Sequence, residues 1–205
     1  MTKDGGVRAA RAPRADALKN RERLLEAAKA AFAEAGSDAS LEDIARRAGV
    51  GIATLYRNFP TRDAVVEAVY RREVQQMADA ATELLAQMSP GEALHEWMRR
   101  SLEFVATKKG MGSALGSMVN TGSDLYAFSI DLLTQAVIDL VHRAIESGDI
   151  RPDVDPTDIL RAMTGFSYGA EQPGWKDGTL RLVDILMDGL RARSSGSRAT
   201  PTGRK

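Results

Sequence analysis

Cysteine is absent from this chain of 205 residues, so neither disulfides nor Cys-based zinc sites can hold its fold. Histidine occurs twice, as His95 and His142, and the two lie too far apart in sequence to suggest a metal site. No cofactor is implied. No secretory h-region is evident, nor an apolar run of about 18 or more residues. That pattern predicts a soluble protein that stays in the compartment where it is made, with no membrane partner. Catalytic patterns are missing too. Asp131, Asp139, Glu146 and Glu171 could supply acid–base groups, but no carboxylate pair, Cys/His nucleophile set, phosphate-binding Gly loop or metal spacing accompanies them. The expectation is a protein that is not an enzyme.

An excess of one charge is also lacking, since 28 basic residues balance 28 acidic ones. The balance hides a segregation. Up to Arg62 there are twelve basic against eight acidic residues, and beyond it sixteen against twenty. Positive charge thus gathers where a polyanion would be met, and negative charge where it would not.

What is present is most informative between Ser40 and Phe59. Ser40 is a good N-cap, and Asp43 three positions later completes a Ser-x-x-Asp start signal whose carboxylate suits the positive end of the helix dipole. Leu41, Ile44, Ala45 and Ala48 then recur at helical spacing on one face, leaving Glu42, Asp43, Arg46 and Arg47 for solvent or a partner. Gly49 follows, where a left-handed residue can end a helix without a Cβ clash. In the next helix Leu55 and Phe59 would bury one side, with Val50 at the corner. Ala53, Thr54, Tyr56 and Arg57 project elsewhere. Two short helices joined by a tight turn, the second with a polar and cationic outer face, form a helix-turn-helix. Such a helix fits the major groove of DNA: Thr54 and Arg57 suit base edges, and Tyr56 and Arg62 suit phosphates. An ordinary helical hairpin, with Tyr56 half-buried and Arg57 solvated, is the alternative.

The order of the whole segment speaks for the DNA reading. Leu41-Glu-Asp-Ile-Ala-Arg-Arg-Ala-Gly-Val50 followed by Ala53-Thr-Leu-Tyr-Arg-Asn-Phe-Pro-Thr-Arg-Asp63 closely resembles the N-terminal domain of TetR-family transcriptional regulators. The resemblance begins in Arg21–Gly36 and runs through Asp63–Val69, about the first third of the chain. It implies an all-α fold, with an N-terminal three-helix DNA-binding domain and a larger helical ligand-binding and dimerisation domain. It also implies a cytoplasmic, ligand-responsive DNA-binding regulator, commonly a repressor, that acts on a pseudo-palindromic operator. Ser40, Gly51, Ile52, Ala53, Thr54, Tyr56, Arg57 and Arg62 stand at the DNA-facing positions. Gly51 departs from the Ser common in the family and has no hydroxyl for a phosphate. Arg62 replaces the more usual Lys and could contact a phosphate in bidentate fashion.

The rest of the chain is read in the same way. Residues 1–15 form a flexible basic arm, 16–61 the helix-turn-helix domain, 62–192 the helical ligand-binding and dimerisation domain, and 193–205 a disordered tail. From Asp16, Leu18, Leu25, Ala28 and Phe32, with Leu24 and Ala31 beside them, predict an amphipathic helix to about Gly36. Thr61 and Asp63 can cap a long helix from Arg62 toward Met88, rooted beside the recognition helix. A helix over about Glu92–Thr107 follows. The small-residue segment Gly110–Gly122 is expected to be mobile, and further helices are expected over 124–147, 157–170 and 179–192.

Leu180, Leu182, Val183, Ile185, Leu186, Met187 and Leu190 surround the last helix rather than striping it, which requires burial on more than one side. Gly165 and Gly169 would let the preceding helix approach a neighbour closely. A two-fold dimer through helices 157–170 and 179–192 is therefore expected, as in TetR-like proteins. Candidate contacts for a small apolar or aromatic ligand are Trp97, Ser101, Leu115, Met118, Tyr126, Ile130, Met163 and Phe166. A helical DNA-binding or architectural protein that senses no ligand is the competing reading.

Overall fold

The structure, a computed structural model, is described for residues 11–112, 114–116, 124–168 and 174–192, without side-chain detail at 11–15, 37, 167 and 168. The arm up to residue 10, Met118, Gly169, Glu171 and the tail from residue 193 lie outside the described residues. Within them the regular structure is helical, apart from one antiparallel bridge between Ile150 and Arg191. The helices are α1 (Arg11–Ala35), α2 (Leu41–Arg47), α3 (Ile52–Asn58), α4 (Arg62–Gln87), α5 (Pro90–Gly110), α6 (Leu125–Glu146), α7 (Pro156–Tyr168) and α8 (Trp175–Leu190), with a 3-10 turn at Gly36–Asp38.

Helix α1 already includes Arg11, ahead of Asp16, so the end of the expected arm is helical. Ala and Arg are strong helix formers. The buried stripe begins later than the sequence suggests: Leu24, Leu25, Ala28, Ala31 and Phe32 are buried, but Leu18 is 66% exposed. Helix α5 runs on to Gly110 instead of ending near Thr107, with Lys108 and Lys109 at the dipole end that favours cations. Part of the expected mobile segment is packed. Leu115 N–H donates to the Met111 carbonyl at 3.0 Å, and both side chains are buried.

The chain divides into two compact units. One holds the residues up to Met77 together with Glu103–Leu133, and the other Ala78–Leu102 with the residues from Thr134 on. Helices α4, α5 and α6 each contribute to both. In the first unit, Leu24, Leu25, Ala28 and Phe32 of α1 pack with Ile44 and Ala45 of α2, Leu55 of α3 and Val65, Val66, Val69, Tyr70 and Val74 of α4. Each fully buried Leu, Val or Phe contributes on the order of 1.5–3 kcal/mol. Arg72 of α4 reaches both Glu22 and Glu26 of α1, and Lys29 pairs with Glu73 at 2.7 Å, fixing how α1 lies on α4.

In the second unit the buried side chains include Leu84, Leu94, Trp97, Met98, Leu140, Val141, Ile159, Val183 and Met187. Its α5 opens with a reciprocal cap: Ser89 Oγ accepts the Glu92 N–H at 3.4 Å, and Glu92 Oε2 accepts the Ser89 N–H at 3.2 Å. Asp149 Oδ2 accepts the Gly91 N–H at 2.8 Å, tying the segment after α6 to the start of α5. Helix α6 is long and apolar enough by composition to cross a membrane, although acidic residues interrupt it. Asp131 and Asp139 stand exposed along it, while Ala136, Val137, Leu140, Val141 and Ala144 are buried, which is the pattern of an amphipathic helix on a protein core.

Candidate nucleic-acid interface

The turn between α2 and α3 is built by hydrogen bonds that the local sequence dictates. Ser40 Oγ accepts the Asp43 N–H at 3.0 Å and starts α2. At the other end Gly49 takes φ +64, its N–H donates to the Arg46 carbonyl, and the Val50 N–H donates to the Ala45 carbonyl, each at 3.0 Å. These two bonds and the left-handed glycine make a Schellman cap, so the carbonyls left open at the end of α2 find donors as the chain reverses. Gly51 then begins α3 without a side-chain cap, at φ −72, and a Cβ there would meet nothing within 4 Å. Serine would fit this position, so the missing hydroxyl is not forced by space.

Helix α3 is held by Leu55, which is fully buried, and by Phe59 just after it. Its other side faces out: Gly51, Ile52, Ala53, Tyr56 and Arg57 are exposed, and Thr54 is half-buried. Arg57 Nη2 donates to Thr54 Oγ1 at 2.9 Å, and Asn58 Nδ2 donates to the Thr54 carbonyl at 2.8 Å.

Arginines around this helix have different fates. Arg47 pairs with Glu34 at 2.8 Å and with Asp43 at 2.6 Å, and the hydrogen bonds it donates to these carboxylates, Glu34 first, raise its pKa above the ordinary guanidinium value. Arg46 also bonds Asp43. Arg62 Nη1 donates to the Ala39 carbonyl, and its guanidinium lies 5.4 Å from the Phe32 ring centroid. Two further arginines that the sequence did not single out hold the motif in place. Arg23 Nη2 donates to the Ala48 and Gly49 carbonyls at the end of α2, and Arg21 stacks 4.4 Å over the Phe59 ring. The Arg23 contact puts a cation on a helix C-terminus. Its partners lie 25 and 26 positions on, so no local pattern announces it. Among the described residues, Arg57 forms no ion pair with a carboxylate.

The ligand-contact candidates are distributed over both units. Trp97, Ser101, Met163 and Phe166 belong to the second, where Trp97, Ser101 and Met163 are buried and Ser101 Oγ donates to the Met98 carbonyl at 2.6 Å. Leu115, Tyr126 and Ile130 belong to the first. Leu115 is buried, whereas Tyr126 and Ile130 are 53% and 45% exposed on α6. On the expected dimer helices, Leu182 and Ile185 of α8 are 47% and 66% exposed, and a Cβ at Gly165 of α7 would meet nothing within 4 Å.

An all-helical chain with a capped helix-turn-helix near its start, whose second helix shows a polar and cationic face, is a DNA-binding transcriptional regulator in its architecture. Comparison with known proteins agrees. Residues 24–69 match the family described as bacterial regulatory proteins, tetR family, and residues 89–192 match the transcriptional regulator SbtR-like C-terminal domain. The chain belongs to the TetR family of transcriptional regulators, a non-enzymatic class. It is similar to the crystal structure of a TetR transcriptional regulator of Streptomyces coelicolor, at 43% identity and TM-score 0.78 over 85% of this chain and 99% of that one. A TetR regulator of Mycobacterium vanbaalenii is 35% identical with TM-score 0.71, over 87% of this chain and 98% of its own. An HTH-type transcriptional regulator of Staphylococcus aureus is 27% identical over 78% of this chain and 85% of that protein.

Proposed function

We propose that this regulator is a sequence-specific repressor that binds a pseudo-palindromic operator as a homodimer in the cytoplasm and leaves it when a small apolar or aromatic molecule binds. The observation that carries the DNA-binding part is the outward face of α3. There Arg57 meets no carboxylate among the described residues, while Arg46 and Arg47, one helix away, are paired with acidic side chains. Ser40, Gly51, Ile52, Ala53, Thr54, Tyr56 and Arg57 then form the surface presented to the groove. Arg62 stands at its edge with a bond to Ala39 that would accompany any phosphate contact.

A recognition helix this short contacts few base pairs. Two of them related by symmetry, roughly 34–36 Å apart, read successive major grooves. The exposed Leu182 and Ile185 of α8 and the open side of Gly165 on α7 support dimerisation through these helices. A ligand bound by residues such as Trp97, Ser101, Met163 and Phe166 would act by favouring one separation of the two recognition helices. A coupling of about 1–3 kcal/mol shifts operator affinity about 5–150-fold.

The test is selection of duplexes from a random library by the purified protein, followed by anisotropy titration and sedimentation. One enriched inverted repeat bound by a dimer supports the reading. Equal binding of selected and scrambled DNA with a steep salt dependence would favour the ligand-free architectural alternative. Replacing both Leu182 and Ile185 with Glu is expected to yield monomers with weakened operator binding, and dimers that persist would remove α8 from the interface.

A further inference from the structure

We propose that α3 reads a guanine through Arg57, with Thr54 holding the guanidinium in place rather than reading a base itself. This rests on the reading above that α3 enters the major groove. Four side chains of α3 can hydrogen-bond a base edge: Thr54, Tyr56, Arg57 and Asn58. Asn58 is half-buried and turns its amide nitrogen onto the Thr54 carbonyl at 2.8 Å. The donor it would need for a two-pronged contact with adenine is thus engaged within its own helix. Thr54 Oγ1 accepts from Arg57 at 2.9 Å, and the residue is itself only partly exposed.

The consequence is a guanidinium with a fixed direction. A free arginine samples many rotamers and loses that freedom on binding, at an entropic cost that a pre-formed tether reduces. One N–H is used on Thr54, and the remaining donors still form a planar fork. On the major-groove edge, guanine alone presents two adjacent acceptors, O6 and N7. Adenine presents a donor beside N7 and would oppose the fork. Of the neighbouring exposed side chains, Ile52 and Ala53 are apolar and offer such a base no hydrogen bond, while Tyr56 carries a single hydroxyl and cannot supply the two donors that the paired acceptors of guanine take.

The experiment is duplex selection with the full-length wild-type protein and with Thr54→Ala, Thr54→Ser and Arg57→Ala, reading base preference position by position. Thermal unfolding serves as a control on folding. The wild type is expected to select an inverted repeat with guanine at one position of each half-site. Arg57→Ala should lose about 5–150-fold discrimination at that position, and Thr54→Ala should relax the same position. Thr54→Ser should restore it, and the double Ala variant should be no worse than Arg57→Ala alone. Uniform weakening on all sequences by Arg57→Ala would overturn the guanine contact, and loss of preference at a different position by Thr54→Ala would overturn the tether. A selected repeat with no guanine dependence on Arg57 overturns this inference alone, whereas a wild type that selects no repeat overturns the proposed function and this inference with it.

Discussion

Gly110 at the end of α5 and Phe32 near the end of α1 meet backbone to backbone: a Cβ on Gly110 would lie 2.3 Å from the Phe32 carbonyl oxygen and 2.9 Å from its carbonyl carbon. No side-chain rotation can relieve such an overlap. Both residues belong to the unit that carries the helix-turn-helix. Gly110→Ala is therefore expected to force α5 and α1 apart locally, at about 1–3 kcal/mol, and to lower the thermal midpoint. An Ala variant that melts with the wild type would show that the contact gives way without cost.

The ion pair between Lys29 and Glu73 is asymmetric. Glu73 is nearly inaccessible at 6% side-chain exposure, Lys29 retains 34%, and Glu73 Oε1 is buried without a hydrogen-bond partner among the described residues. Lys29→Met would strand a buried carboxylate and is expected to destabilise by about 2–4 kcal/mol. Adding Glu73→Leu should recover most of that loss, because the charge leaves with its partner. Denaturant titration of the single and double variants measures this, and strictly additive losses would contradict it.

Arg62 and Arg57 should separate stability from recognition. Arg62→Ala removes the bond to the Ala39 carbonyl and the contact with the Phe32 ring, a loss of about 1–2 kcal/mol that a thermal melt would register. Arg57 is exposed and, among the described residues, bonded within α3, so Arg57→Ala should leave the melt unchanged and weaken cognate DNA binding. The opposite pattern in the two melts would reverse these assignments.

Acid should loosen the second unit through Asp184. His95 Nε2 at 2.7 Å and Arg99 Nη1 at 3.0 Å meet the same Asp184 oxygen, and the His95 hydrogen bond, more than Arg99, holds the Asp184 pKa below its ordinary value of 3.8. A carboxylate depressed in the folded state stabilises above its unfolded pKa and loses that contribution as pH falls through the folded one. Stability should therefore decline below about pH 4, and Asp184→Asn should flatten that part of the profile. An unchanged acid limb in the Asn variant would exclude Asp184 as its source.

The helix-turn-helix was legible because its determinants are local. Ser40 and Asp43 cap one helix, Gly49 supplies the left-handed turn, and Leu55 with Phe59 defines the buried side of the next, all within twenty positions. Element ends were less legible where propensity ran past a break in pattern, as at Arg11 and Gly110. Leu18 looked like the first member of a stripe. Periodicity reports which side of a helix is apolar, not whether another element lies beside that turn.

What the sequence by itself determined is the helical class, the capped turn and the outward set of α3, since hydrogen bonds and side-chain spacing within a few residues settle them. Part of the availability of the arginines is local, since Asp43 meets Arg46 and Arg47 within α2 and Thr54 meets Arg57 within α3, but the rest was decided only by the tertiary structure. Arg46, Arg47, Arg57 and Arg62 look alike in sequence, yet Glu34 neutralises one and Ala39 and Phe32 engage another from positions 13 to 30 residues away. Free charge is set by the partners that folding brings within reach, and those contacts are long-range in sequence and short-range in space.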